Sequence, residues 1–378
     1  MDIREVRRLF PATTGRAYFN TAAVGLASVR VADAYRSAIA DWEASGFDFR
    51  IGEQAADDAR SAVARLIGAA AADVALIPSV SAAAGLVAAQ FDTAEPGANV
   101  VIGEREYSSN HFPWRQLAGK GYDVRQVPFR GGGLDAGDVG AHIDAGTRLV
   151  AFSAVQTATG HRCDIAAIGR SARAVGALVF VDGSQLVGAL PVAPELEHVD
   201  VLVVPDHKFL LNAGRGMGYC YLSATAQERF TPINAGWKAG AVPLDSFFGP
   251  EMALSSTASR FDNSISWFAA IGNRAALSLF DELGAAAAYA RNRDLAALLR
   301  TALDDAGWHP VELPASQRST IVSVPLGRHE PAALLGELAE RGIVAAARDG
   351  NLRLAVHVYN HEDDIERLRT ALRGVAAP

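Results

Sequence analysis

The sequence predicts an α/β protein, with a large domain on a mostly parallel sheet sandwiched by helices and a smaller α+β domain at the C-terminal end. Three observations carry this reading. Short apolar runs rich in Val, Ile, Leu and Phe alternate with helical patterns from about residue 30 onward, as buried parallel strands and their crossover helices do. The 378 residues, half of them apolar and 20% charged, suffice for one large and one smaller core. Beyond a long helical stretch, RNRDLAALLRTALDDAG, the pattern changes to an α+β mixture.

The elements follow in order. RVADAYRSAIADWEA and EQAADDARSAVARLIGA carry apolar residues at helical spacing. VALIPS is a short strand, and SAAAGLVAAQF is a buried helix opening behind Ser79 and Ser81, both natural cap residues. ANVVIG is a strand, NHFPWRQLAGKG a helix, YDVRQVPF and RLVAFSAVQ strands, and IAAIGRSARAVG a helix. ALVFVDG, VDVLVVP and MGYCYL are further strands. TIVSVPL, PAALLGELAERG, IVAAARDGNLRLAVHVY and EDDIERLRTALRGV complete the C-terminal part.

A net charge of −7 argues against nucleic acid or an anionic membrane as the main partner. Two cysteines, Cys163 and Cys220, are too few for a disulfide framework and suit a reducing compartment. The first residues are charged, and no apolar run is long enough to span a bilayer, so a soluble cytoplasmic protein is expected. HRCD (161–164) has no companion cluster and reads as structural, so no metal is expected. GRGMG lacks the G-x-G-x-x-G spacing of a dinucleotide loop and reads as tight turns before a strand.

In open parallel sheets, ligands bind beyond the carboxyl ends of the strands. The polar residues there are Ser79 and Ser81, Tyr107 to Asn110, Gln156 and Thr157, Asp182 to Gln185, and Asp206 to Lys208. A lysine between two buried strands must be paired, deprotonated or covalently used. Pyridoxal 5′-phosphate calls for this set. A lysine amine condenses with its aldehyde, and a carboxylate keeps its ring nitrogen protonated. Lys208 and Asp182 suit those tasks, while Ser81 and His207 offer a hydroxyl and an imidazole to the phosphate.

VDGSQ and DHKFLLNAGRGMGYCYL, with AYFNTAAVGLAS, EREYSSNHFPW and LRLAVHVYNHEDDIERL, resemble the class V, fold-type I pyridoxal-phosphate enzymes. These include cysteine desulfurases and isopenicillin N epimerase-like proteins, and the chain is closest in kind to their C–S lyases. The resemblance implies a seven-stranded type of sheet in a large domain at 19–279, and a small domain at 280–378 joined by segment 1–18. It implies that Lys208 carries the cofactor, Asp182 meets the ring nitrogen, Gln185 bonds the ring hydroxyl and Tyr107 stacks on the ring. Thr157 or its neighbour Gln156 would sit near that hydroxyl, and Ser81 and His207 would hold the phosphate. Ser264 or Ser266, in RFDNSISW, would reach a phosphate across a homodimer interface near which the active sites lie. Arg353 would grip the carboxylate of an amino-acid substrate, with Asn20 bordering it.

Two departures matter. The family places Ser or Thr three residues before the lysine; here stands Pro205, followed by Asp206, whose carboxylate would repel phosphate unless it points away. Desulfurases carry a mobile cysteine shortly before the substrate-binding arginine; here the segment reads RGIVAAARDGNLRLAV. β-Elimination from a cysteine S-conjugate is therefore the leading expectation. An aminotransferase, an epimerase or a decarboxylating or oxidative deaminase shares its first steps, and a cofactor-binding sensor is the non-enzymatic alternative. GWKAGAVPLDSFFGPEM (236–252) is expected to border the entrance.

Overall fold

The computed structural model describes residues 1–212, 214–249 and 251–378, so Ala213 of the lysine loop and Pro250 of the 236–252 segment lie outside the described residues. Seven strands form the central sheet. They are β1 (Val74–Ile77), β2 (Asn99–Gly103), β3 (Asp123–Val127), β4 (Thr147–Ser153), β5 (Leu178–Asp182), β6 (Val201–Pro205) and β7 (Gly218–Leu222). Their spatial order is β1-β7-β6-β5-β4-β2-β3. Neighbours run parallel except at β7, which is antiparallel to both β1 and β6. The chain between β6 and β7 contains no crossover helix among its described residues, so it turns back rather than crossing over. That return carries the lysine.

The helices that frame the two units are α1 (Val29–Ser45), α2 (Phe49–Ile67), α3 (Val80–Ala88), α4 (Ile165–Arg173), α5 (Trp267–Leu283), α6 (Ala285–Asp305) and α7 (Glu362–Arg373). Alternate residues of each strand enter different cores. Val101, Val150, Val179, Val181 and Leu202 pack with residues of α2, α4 and α5. Val100, Ile102, Leu149, Phe180 and Val203 pack with α3 and Trp114. Apart from the part-exposed edge strand β3, both faces are dry, which explains why these strands read as continuous apolar runs instead of alternating ones. Side-chain caps start the helices: Ser28, Asp48, Ser79, Asp164 and Ser266 each accept a backbone N–H of the first turn.

A third core, including Leu299, Trp308, Val322, Leu352 and Leu368, surrounds an antiparallel sheet in the C-terminal part. Its strands are β8 (Ile321–Pro325), β9 (Ala346–Arg348) and β10 (Asn351–Ala355), in the order β9-β10-β8. The β9–β10 hairpin turns on Asp349 (φ 50°) and Gly350 (φ 75°), the left-handed pair that a tight two-residue turn demands. The N-terminal segment bridges the units: Ala17 and Tyr18 pair in parallel with Ile343 and Val344, while Val6 and Phe10 enter the core of the large sheet. Arg7 secures it with bonds of 2.6 and 2.9 Å to the Asp364 carboxylate.

Two local expectations are corrected. The helix expected over NHFPWRQLAGKG is one α-turn, Phe112–Arg115, followed by a 3₁₀ stretch, Gln116–Lys120. Pro113 is tolerated in the first turn, and Gly121 (φ 95°) closes the 3₁₀ stretch in the left-handed conformation. Ser79, not Ser81, caps α3; Ser81 is already inside the helix. Among the described residues no helix is long and apolar enough to cross a membrane.

Candidate active site

Asp182 is the last residue of β5, level with Ser153 of β4 and Val203 of β6, so the sheet itself fixes its height. Its Oδ1 accepts the Ser184 N–H at 2.8 Å. Lys208 lies in the return beyond β6. The turn is tight: Leu211 sits in the left-handed region (φ 63°), a conformation that costs a non-glycine residue roughly 1–2 kcal/mol. The N-terminal segment clamps this turn from outside. Gly25 N–H donates to the His207 carbonyl at 2.8 Å, and a Cβ on Gly25 would fall 2.4 Å from the Lys208 carbonyl oxygen.

Ser79, Ser81, Tyr107, Asp182, His207, Lys208 and Arg215 line one cavity of about 120 Å³. The Lys208 ammonium lies 5.6 Å from the centre of the Tyr107 ring. Burial pulls the Lys208 pKa down to about 8; Asp182 opposes this, and Arg353 and Arg215 add to it. Of the three fates open to a buried lysine, the lowered pKa favours easier loss of the proton.

A second cluster adjoins. The Thr157 hydroxyl accepts from Gln185 Nε2 and from an Arg353 terminal nitrogen, both at 3.0 Å. The other Arg353 terminal nitrogen donates to Asn20 Oδ1 at 3.1 Å. Arg353 is 2% exposed, and burial pushes its pKa down to about 10. Gln185 Oε1 and Arg353 Nε are buried without partners. Leaving such a group unpaired costs about 1–3 kcal/mol, and both lie in this cluster.

Other expected residues lie elsewhere. Gln156 turns away from the cavity and donates to Glu106 Oε1 at 2.9 Å. Ser266 caps α5, and Ser264 and Ser266 border a separate space of about 590 Å³ with Phe49, Trp237 and Phe247. Asp206 is fully buried, and its Oδ2 accepts from Asn212 Nδ2 at 2.9 Å behind the lysine turn, so its charge does not line the cavity. Both cysteines are buried in the apolar cores, where burial raises Cys220 to about 12 and Cys163 further still.

Sequence reasoning passed over Glu106 and Arg215. Glu106 accepts from Ser153 N–H at 2.9 Å, from the Ser153 hydroxyl and from Gln156. Burial lifts its pKa to about 7, with those bonds opposing and Asp182 reinforcing the shift. A charged residue immediately before Tyr107 at a strand end was the available signal. Arg215 stood inside GRGMG, whose glycines drew attention to turn geometry.

The donor set fits pyridoxal 5′-phosphate. A lysine of lowered pKa stands opposite a carboxylate, an aromatic face covers it, and hydroxyls and an imidazole form one wall. Close by is an amide oxygen that has no partner within the chain.

A family model described as aminotransferase class-V matches residues 17–368. A probable cysteine desulfurase of Methanothermobacter thermautotrophicus is 34% identical over 189 residues, a match spanning 50% of this chain and 46% of that protein. The uncharacterized aminotransferase YcbU of Bacillus subtilis is 28% identical over 321 residues, covering 84% of this chain and 82% of that one. Among solved structures, the cystine C–S lyase C-DES in complex with cysteine persulfide superposes with a TM-score of 0.85 at 22% identity, covering 98% of this chain and all of that one, which shows a shared fold.

Proposed function

The chain belongs to the class V aminotransferase family of pyridoxal-phosphate enzymes, and on that premise we propose that it eliminates the β-sulfur substituent of a cysteine S-conjugate without forming a persulfide on the protein. The observation that carries this is the placing of the thiols. The sequence has two cysteines, both buried in apolar cores with raised pKa values, and none in the segment before Arg353. A persulfide-forming desulfurase needs a thiolate that reaches the substrate sulfur. Elimination needs none, because the sulfur leaves with its own substituent.

Bound in the cavity, the cofactor supplies an electron sink for the pair released when a bond to the substrate α-carbon breaks. The protein supplies the rest. Lys208 would hold the cofactor, and once the substrate amine has displaced it, its freed amine would take the α-proton. Asp182 would keep the ring nitrogen protonated, Tyr107 would cover the ring, and Gln185 would hydrogen-bond the ring hydroxyl with Thr157 alongside. Ser81 and His207 hold the phosphate. Arg353 binds the substrate carboxylate, its Nε being the donor left free, and Asn20 borders the same space. In this reading the unit of residues 19–279 holds the cofactor, and 280–378 with 1–18 brings Arg353 to it. Overall, a cysteine S-conjugate and water yield a thiol, pyruvate and ammonium.

A second copy of the chain completes the assembly. What supports this is an exposed apolar surface at Trp42, Val242, Phe248 and Met252, the last two 97% and 77% exposed, near the space bordered by Ser264 and Ser266. Light scattering is expected to give twice the chain mass.

The deciding experiment incubates the holoprotein with a panel of S-substituted cysteines. Pyruvate and the matching thiol are expected in equal amounts. Alanine with a protein-bound persulfide, conversion of the cofactor to its amine form by a donor amino acid, or solvent deuterium entering Cα without turnover would each replace elimination with desulfuration, transamination or epimerisation.

A further inference from the structure

Pro205 offers no hydroxyl and no N–H at the position where the phosphate expects a donor, and a buried acid follows it. Asp206 has no exposed surface. Its Oδ2 accepts from Asn212 Nδ2 at 2.9 Å; Asn212 in turn donates to the Ala269 carbonyl of α5 at 3.0 Å and accepts the Tyr35 hydroxyl of α1 at 2.9 Å. The acid is thus held from behind by two helices. Its other oxygen, Oδ1, is buried, has no hydrogen-bond partner and lies 3.4 Å from Nδ1 of His207. A carboxylate buried only to tie elements together would have both oxygens engaged. This one points its free oxygen at the imidazole that lines the cofactor cavity.

We propose that Asp206 is a positioning residue that acts through His207, fixing a proton on Nδ1 so that the imidazole is charged and presents Nε2–H to the cofactor phosphate. The inference rests on the reading of the Lys208 cavity as the cofactor site. Burial pushes the Asp206 pKa up, and the contacts with His207 and Asn212 oppose that shift. Tyr35 and Tyr219 face Asp206, with Arg60 beyond Tyr219; Lys208, Arg215 and Asp182 share the cavity with His207. The Asp206 carboxylate lies beside Nδ1, and a negative charge there favours a proton on that nitrogen. Asp206 thereby takes over the missing donor's task indirectly, by orienting the histidine that makes the contact.

The test compares release of pyridoxal 5′-phosphate and of pyridoxal from the unaltered protein and from the D206N, H207Q and D206N/H207Q variants. D206N is expected to weaken pyridoxal phosphate about tenfold, the worth of one charge-assisted hydrogen bond, and to leave pyridoxal within about twofold. In the H207Q background, removing Asp206 should add nothing. Equal weakening of both ligands, or the same loss with and without His207, would overturn the proposal. Should D206N fail to fold, the His207 ring of the unaltered holoprotein decides by nuclear magnetic resonance: charged at pH 7.5 is expected, and neutral overturns it. If the unaltered protein takes no pyridoxal phosphate onto Lys208, the cofactor reading falls, and this inference falls with it.

Discussion

Replacing Glu106 with Gln should flatten part of the pH dependence of stability. Burial raises this carboxyl from 4.5 to about 7 in the folded protein, although it accepts from Ser153 and Gln156. The unfolded chain ionises near the lower value. Between the two, the folded state binds the extra proton, so stability is greatest below 4.5 and is lost as pH rises through 7. The whole span corresponds to about 3 kcal/mol, of which about 2 kcal/mol falls between pH 5.5 and 8. Gln keeps the size and one acceptor but cannot ionise. The stability of E106Q relative to the unaltered protein should therefore improve by about 2 kcal/mol from pH 5.5 to pH 8. Paired urea unfolding curves of the cofactor-free proteins at the two pH values measure it. A difference that does not move with pH, or moves the other way, would refute the reasoning, because the carboxyl would then be ionised throughout.

Three further outcomes are expected. K208A should bind pyridoxal phosphate without the covalent link, so reduction with borohydride should leave no label on the protein, whereas the unaltered protein is labelled at residue 208. R353K exchanges a planar fork for a point charge and should lower kcat/KM by about 10- to 150-fold, the worth of roughly 1.5–3 kcal/mol, with cofactor content unchanged. G25A should destabilise the protein by about 1–3 kcal/mol, since its methyl group meets the Lys208 carbonyl at 2.4 Å and Leu211 Cα at 3.1 Å, both backbone atoms; a thermal midpoint equal to that of the unaltered protein would show that the turn yields.

The strands other than the edge strand β3 were legible because both faces of the sheet are dry around them. Runs such as VLVVP then need no partner information to be recognised. Asp182 and Lys208 were legible because polar residues closing such runs stand at the ligand edge of a parallel sheet. The reversal of β7 had a signal too: no helical pattern separates it from β6. The Asp349–Gly350 turn was announced by its dipeptide and passed over. Glu106 was harder. What makes it special is Ser153 and Gln156, about fifty residues away, and no local pattern says that these three meet. Asp206 shows the same limit from the other side. Its charge beside a phosphate site was a concern in the sequence, and only Asn212 and the helices behind it reveal which way each oxygen points.

Arg353 rides on the hairpin of the C-terminal unit, yet its fork is tied to Thr157 beyond β4 and to Asn20 of the leading segment. If Arg353 grips the substrate carboxylate as proposed, an incoming acid must share or displace those two tethers. Occupancy by a carboxylate and the strength of the latch between the units are therefore reciprocal: whatever loosens the seam frees the guanidinium for a guest, and a guest that claims it loosens the seam in return.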